Sequence, residues 1–137
     1  MAKDIFHEAV KIALGKDGWT ITHDPLYVEA LGFNVRIDLG AERLIGAQKN
    51  GEKIAVEVKS FTSPSGVSQF HTALGQFLNY HDALADEEPD RQLFLAIPAD
   101  AYETTFMIPF VERAIHRYQI MFLVYDPGQE VIVSWHK

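Results

Sequence analysis

The stretch Lys53-Ile-Ala-Val-Glu-Val-Lys-Ser60 decides the fold that we expect for this chain. It is rich in β-branched residues and alternates in character, which is typical of a β-strand. Side chains along a strand point alternately to opposite faces, so Glu57 and Lys59 are predicted to share one face, opposite the apolar residues. The sequence therefore predicts a carboxylate and an ammonium side by side near the end of a strand.

A second carboxylate, Asp38, precedes Glu57 by 19 positions and lies near the end of another predicted strand. If the two strands are neighbours in a sheet, the carboxylates can hold Mg²⁺ through oxygen ligands. Lys59 can then orient or deprotonate an attacking water, and this arrangement is suited to metal-assisted hydrolysis of a phosphodiester. The alternative interpretation is that Glu57 and Lys59 form the solvated face of an amphipathic strand.

The remainder of the chain predicts helices and strands in alternation. Apolar periodicity predicts helices over Asp4–Leu14 and Ser68–Leu84, and a helical segment over 101–118 that restarts at Pro109. Asn50-Gly51 favours a type I′ turn that joins the strand ending at Lys49 to the Lys53–Ser60 strand. This order predicts an α/β fold, a mixed sheet flanked by helices. The other predicted strands are Trp19–His23, Val35–Leu39, Leu44–Lys49, Leu93–Ile97, Ile120–Tyr125 and Glu130–Trp135.

Length and composition limit the function classes. A chain of 137 residues fits one domain over residues 1–137, and the absence of cysteine excludes disulfides, cysteine-ligated zinc and thiol nucleophiles. No apolar run is long enough to span a bilayer and no signal peptide is evident, so we expect a cytoplasmic protein without a membrane partner. The net charge of −7 predicts weak unaided binding to DNA, or binding that needs metal or a partner chain.

The second long helix carries a polar pair, Gln76 and Tyr80, one turn apart. They lie opposite an apolar stripe that is expected to face the core. The alternative interpretation is a surface glutamine and a half-buried tyrosine. The stripe comprises Phe70, Leu74, Phe77 and Leu78.

Taken together, Asp38, Glu57-Val58-Lys59 and Gln76-x-x-x-Tyr80 resemble the motifs of the PD-(D/E)xK nuclease superfamily. The resemblance is to branches that add a Gln-x-x-x-Tyr motif, such as RecB-type and Holliday-junction-resolvase-like nucleases. It implies a restriction-endonuclease-like mixed β-sheet flanked by helices, with the active site at one sheet edge. It also implies that Asp38, Glu57 and Lys59 are catalytic, with Mg²⁺ or Mn²⁺ held by the two carboxylates. Gln76 and Tyr80 would support the site or contact DNA.

Two further carboxylates are candidate metal ligands. Glu8, on the first predicted helix, falls where many members of that superfamily carry a metal-binding glutamate; the alternative is an exposed helix residue. Asp38 is followed by Leu39-Gly40 rather than preceded by proline, and its spacing to Glu57 exceeds that of compact resolvases. Glu42 is therefore an alternative first carboxylate.

A narrower resemblance covers almost the whole chain. The segments Asp38–Ile45, Lys53–Phe61 and Ala73–Tyr80 resemble the XisH family, the fdxN element excision controlling factors of filamentous cyanobacteria. The resemblance implies a role in programmed excision of a DNA element, beside a site-specific recombinase and a companion protein, XisI. Two alternatives follow: a Mg²⁺-dependent endonuclease-like DNA-processing protein, or a non-catalytic accessory protein that binds a XisI-like partner or the recombinase. A homo-oligomer is a further open alternative.

Overall fold

The computed structural model describes residues 2–43, 51–62 and 65–137. A six-stranded mixed sheet is flanked by helices on both faces, and a separate two-stranded sheet stands beside it. This confirms the predicted fold class. The helices are α1 Ala2–Lys16, α2 Gly66–Glu87, α3 Ala99–Glu103 and α4 Pro109–Arg117, with a 3₁₀ turn at Thr105–Met107. The strands are β1 Thr20–His23, β2 Leu26–Ala30, β3 Phe33–Ile37, β4 Leu39–Arg43, β5 Glu52–Val58, β6 Arg91–Pro98, β7 Phe122–Asp126 and β8 Val131–His136.

The large sheet has the order β1-β4-β5-β6-β7-β8. Its central pairs, β5–β6 and β6–β7, are parallel, and the outer pairs are antiparallel. Strand β6 is continuously apolar and buried from Leu93 to Pro98, because both faces of a parallel strand are covered. Strands β2 and β3 form an antiparallel hairpin that, within the described residues, pairs with no strand of the large sheet.

The two faces of the large sheet bury separate cores. On one face α1 packs against β8, β1, β5 and β7, and on the other face α2 packs against β6 and the β2–β3 hairpin. Alternate residues of β5 therefore enter different cores, Ile54 and Val56 on the α1 side and Ala55 on the α2 side. Glu57 continues the α2 side and is itself buried, so the solvated-face alternative for this strand is wrong.

The predicted helices are confirmed, with one error in their packing. Asp4–Leu14 lies within α1 and Ser68–Leu84 lies within α2, while segment 101–118 divides into α3, the 3₁₀ turn and α4. Pro109 is the first residue of α4, as expected. Leu78, predicted to face the core, is instead 42% exposed.

The prediction of a single strand over Val35–Leu39 is wrong. The chain changes pairing partner at Asp38: Ile37 pairs with Leu26 in the small sheet, and Leu39 pairs with Val56 in the large one. Asp38, between the two strands, therefore pairs with a strand of neither sheet. Strand β2 was not predicted, and the predicted strand Leu44–Lys49 lies outside the described residues, as does Asn50 of the predicted turn.

The other predicted strands are confirmed to within a few residues at each end. Among the residues that the structure describes, no helix is both long enough and apolar enough to cross a membrane.

Candidate functional site

Asp38 occupies the bend where the chain passes from the small sheet to the large one. Its side chain is almost fully buried, with the residue 5% exposed. The Asp38 carboxylate accepts a hydrogen bond from the backbone N–H of Val58 at 2.8 Å, and the Asp38 backbone N–H donates to Glu57 Oε1 at 3.2 Å. These reciprocal bonds hold the two carboxylates at the same end of the sheet.

Glu57, near the end of β5, is a buried carboxylate beside another carboxylate. Burial and, second to it, the charge of Asp38 raise the pKa of Glu57 to about 7, although Lys59 opposes both effects. Two acidic side chains in one poorly solvated place repel each other when both are ionised. A cation bound between them would therefore reduce this repulsion.

Lys59 follows β5 directly and is fixed at both its backbone and its side chain. Its N–H donates to the carbonyl of Ala96 at 2.9 Å, and its carbonyl accepts from the Tyr125 hydroxyl at 2.9 Å. Its ammonium lies 3.4 Å from Glu57 Oε2 and donates to the Gln76 side-chain oxygen. The amine is therefore held between β5 and α2.

The polar face of α2 turns toward these residues. Gln76 accepts a hydrogen bond from the Lys59 amine, and Tyr80 is close enough to the carboxylates for their charge to affect its pKa. Burial raises the pKa of the Tyr80 hydroxyl, Glu57 and Asp38 raise it further, and Arg36 lowers it. Tyr80 is therefore a neutral hydroxyl that can donate a hydrogen bond.

Three residues at the site were not expected from the sequence. Arg36, on β3, places its guanidinium Nη1 4.0 Å from Asp38 Oδ1, and its position two residues before Asp38 was the available signal. Tyr125 comes from the distant strand β7. His7, on α1, is held by Asp24 through an Nε2–Oδ1 contact of 2.7 Å.

A cleft of about 400 Å³ lies at this end of the sheet. Asp38 and Lys59 line it together with residues of α1 and α2. Residues that line the cleft include Phe6, His7, Asp38, Lys59, Thr62 and Gln69.

The structure does not bring Glu8 or Glu42 into this cluster. Glu8 is exposed on α1 with its carboxylate 3.6 Å from the Lys11 amine. Glu42 lies four residues beyond Asp38, roughly 13 Å along the chain at the usual rise of a strand, and 3.9 Å from Arg91 Nη2. Across the described residues, no group of three or more His, Cys, Asp or Glu side chains is arranged to hold a metal.

Two carboxylates nevertheless fit Mg²⁺. This ion keeps several waters and commonly binds through one or two carboxylates together with substrate phosphates. Asp38 and Glu57 supply oxygen ligands only, and the pKa of Glu57 is raised first by burial and second by the charge of Asp38. The donor set is therefore suited to Mg²⁺ or Mn²⁺ rather than to a metal that prefers nitrogen or sulfur.

The comparisons with known proteins agree with one another. The family model described as XisH protein matches residues 1–133. The crystal structure of an XisH family protein from Nostoc punctiforme PCC 73102 is 50% identical, with a TM-score of 0.89 over 98% of this chain and 100% of that one. The crystal structure of an fdxN element excision controlling factor protein from Anabaena variabilis is 51% identical, with a TM-score of 0.89 over 98% of this chain and 99% of that one. No curated protein matches.

Proposed function

The chain belongs to the XisH family, and from this premise we propose that it acts in the excision of a DNA element as a Mg²⁺-dependent endonuclease. The observation that carries the proposal is the convergence of Asp38, Glu57 and Lys59 at one end of the sheet. The relative from Anabaena variabilis, an fdxN element excision controlling factor, supports a role on DNA.

In this proposal Asp38 and Glu57 hold the metal ion. When bound, Mg²⁺ would polarise the scissile phosphate and lower the pKa of a coordinated water. The reaction is hydrolysis: the water oxygen bonds to phosphorus, one P–O ester bond breaks, and the leaving oxygen takes up a proton. Both carboxylates are buried and bonded to backbone amides, so they are preorganised for this task.

Lys59 supplies positive charge where the reaction develops negative charge. Its side-chain amine is already bound to two acceptors, Glu57 and Gln76, which fix its direction. From this position the amine can orient the water or donate to the phosphate oxygens as negative charge develops on them. Gln76 positions Lys59, and the neutral Tyr80 hydroxyl can donate to DNA.

A second candidate is an accessory protein that has the nuclease-like fold without cleavage. The net charge of −7 disfavours strong binding to the DNA backbone. Apolar side chains on α2, α4 and the 3₁₀ turn are also open to solvent, namely Leu78, Met107 and Phe110, at 42%, 46% and 53% exposure. Exposed apolar groups of this kind suit binding to a XisI-like companion or to a recombinase.

Incubation of the purified protein with branched, single-stranded and duplex DNA in Mg²⁺ or Mn²⁺ separates the two candidates. The endonuclease proposal expects cleavage that a chelator abolishes. The accessory proposal expects none on any substrate, whether a XisI-like companion is present or absent. In that case a stable complex with the companion or the recombinase should form instead, and size-exclusion chromatography would detect it.

A further inference from the structure

The β2–β3 hairpin presents an aromatic ring and a guanidinium side by side on its outer face. Tyr27 and Arg36 are directly opposed in the hairpin register, and opposed residues have Cβ atoms about 5 Å apart. Tyr27 is 65% exposed and the Arg36 side chain is 53% exposed. Both groups are therefore available to a ligand in solvent.

The opposite face of the hairpin is anchored. Leu26, Val28, Val35 and Ile37 are buried in the core that α2 covers. The outer face is thus presented by a rigid element rather than by a loose loop. A rigid aromatic side chain loses little conformational entropy when a ligand stacks on it.

Arg36 connects this face to the carboxylate pair. Its guanidinium lies 4.0 Å from Asp38 Oδ1, a loose contact at an exposed side chain, so the guanidinium can still pair with an anion. A planar guanidinium binds phosphate through two parallel hydrogen bonds. A DNA strand whose scissile phosphate is at Asp38 and Glu57 would bring a neighbouring phosphate to Arg36.

The tip of the hairpin is apolar and faces solvent. Leu31 is 96% exposed and Phe33 is 72% exposed, on either side of Gly32, whose positive φ of 80° closes the turn. On the outer face the Glu29–Asn34 pair lies between this tip and Tyr27 with Arg36, and alternation places Phe33 on the face of Val35 and Ile37. Tyr27 is therefore the ring that can stack on an unpaired base beside Arg36.

We infer that the β2–β3 hairpin binds an unpaired DNA strand next to the catalytic site, with Arg36 on a phosphate and Tyr27 stacked on a base. The inference rests on the proposed function and names its substrate class, which is DNA with a single-stranded or branched portion. Stacking is important here because a protein with a net charge of −7 gains little affinity from the DNA backbone.

Fluorescence anisotropy with labelled DNA tests this inference, with Ca²⁺ in place of Mg²⁺ to limit cleavage. The probes are a single strand, a forked duplex and a blunt duplex of equal length. The wild-type protein should bind the fork and the single strand about tenfold more tightly than the blunt duplex. Tyr27→Ala should lose that preference, since one base stacked on an aromatic ring contributes about tenfold in affinity. Tyr27→Phe keeps the ring and should keep the preference.

Two further variants sharpen the result. Tyr118→Ala removes another exposed tyrosine, at the end of α4, and should bind all three probes as the wild type does. Arg36→Gln should lower the slope of log affinity against log salt by about one, because one phosphate contact is lost.

Several outcomes would overturn the inference. These are no DNA binding, equal affinity for all probes, or unchanged fork binding in Tyr27→Ala. A dimer that Tyr27→Ala dissociates, with fork binding unchanged, would make the hairpin a protein interface instead. Tyr27-dependent binding without cleavage of any substrate would contradict the endonuclease proposal and support this inference. Cleavage together with binding that does not depend on Tyr27 would support the endonuclease proposal and contradict this inference.

Discussion

Asp38 and Glu57 are tied to each other through the backbone. The N–H of Asp38 donates to the Glu57 carboxylate at 3.2 Å, and the Asp38 carboxylate accepts at 2.8 Å from Val58, the residue after Glu57. Neither carboxylate can therefore turn away without breaking a hydrogen bond in a buried place, and such a loss is costly. The geometry is fixed before any cation arrives.

We predict that Mg²⁺ or Mn²⁺ stabilises the protein and that Glu57→Gln abolishes the effect. A ligand that binds only the folded state stabilises it by mass action, and ten times the dissociation constant yields about 1.4 kcal/mol. That corresponds to a rise of a few degrees in melting temperature for a domain of this size. An amide is a poorer ligand than a carboxylate, so the variant should not respond. Differential scanning fluorimetry at 0 and 10 mM metal measures the shift.

The matched control for this experiment is Glu103→Gln, which neutralises an exposed carboxylate on α3. It should shift as the wild type does. A wild-type melting temperature that neither metal changes would rule out a competent metal site, and an equal shift in Glu57→Gln would place the metal elsewhere.

Glu57 should make the protein less stable as pH rises from about 4.5 to about 7. Burial, then the charge of Asp38, raises the pKa of Glu57 from its ordinary 4.5 to about 7 in the folded state. The folded protein therefore holds this proton more tightly than the unfolded chain does. The resulting stabilisation is complete below pH 4.5 and is lost as pH rises through 7. Its size is on the order of 3 kcal/mol.

Urea unfolding at several pH values, with a chelator present, measures this effect. Glu57→Gln stays neutral, so its free energy of unfolding should fall less than that of the wild type between pH 4.5 and 7. Parallel curves for the two proteins would show that Glu57 titrates normally in the folded state.

Lys59 and Gln76 should affect cleavage without affecting metal binding. Loss of one preorganised donor to a developing negative charge costs about 100-fold in rate, so Lys59→Met should be slower by about that factor. Gln76→Ala leaves the amine in place but removes one of its two acceptors, and it should be roughly tenfold slower. Both variants should retain the Mg²⁺-dependent rise in melting temperature. Loss of that rise in either one would mean that the residue maintains the carboxylate pair.

Tyr125→Phe should destabilise the protein by about 1–2 kcal/mol. The Tyr125 side chain is fully buried, and its hydroxyl donates to the Lys59 carbonyl at 2.9 Å. Phenylalanine leaves that carbonyl without its donor. Urea unfolding measures the change, and the exposed Tyr118→Phe should differ from the wild type by less than about 0.5 kcal/mol. Equal stability of the two variants would argue that water replaces the Tyr125 hydroxyl.

Local patterns predicted the central part of the site. The alternation of β5 predicted that Glu57 and Lys59 share a face, and the structure has their charged groups 3.4 Å apart. The helical spacing of Gln76 and Tyr80 predicted their common face on α2. These relationships depend on the 2.0 and 3.6 periods of strand and helix, which a sequence contains directly.

Long-range pairing could not be predicted in this way. The break at Asp38 arises because β3 and β4 join different sheets, and an apolar run such as Val35–Leu39 does not record a change of partner. Tyr125 reaches Lys59 across 66 residues of sequence through the parallel pairings of β6. Arg36 reaches the carboxylates because the β2–β3 hairpin stands beside the sheet, and β2 had not been predicted.

The rate of Mg²⁺-dependent cleavage of a forked DNA tests the central claim most directly. The comparison is between wild type, Glu57→Ala, Lys59→Ala and the control Glu103→Gln, each shown to be folded by circular dichroism. We predict that wild type and Glu103→Gln cleave the DNA and that a chelator stops this cleavage. The cleavage rates of the other two variants should be at least about 100-fold lower. Cleavage at the wild-type rate by Glu57→Ala, or no cleavage by any of the four proteins, would contradict the account.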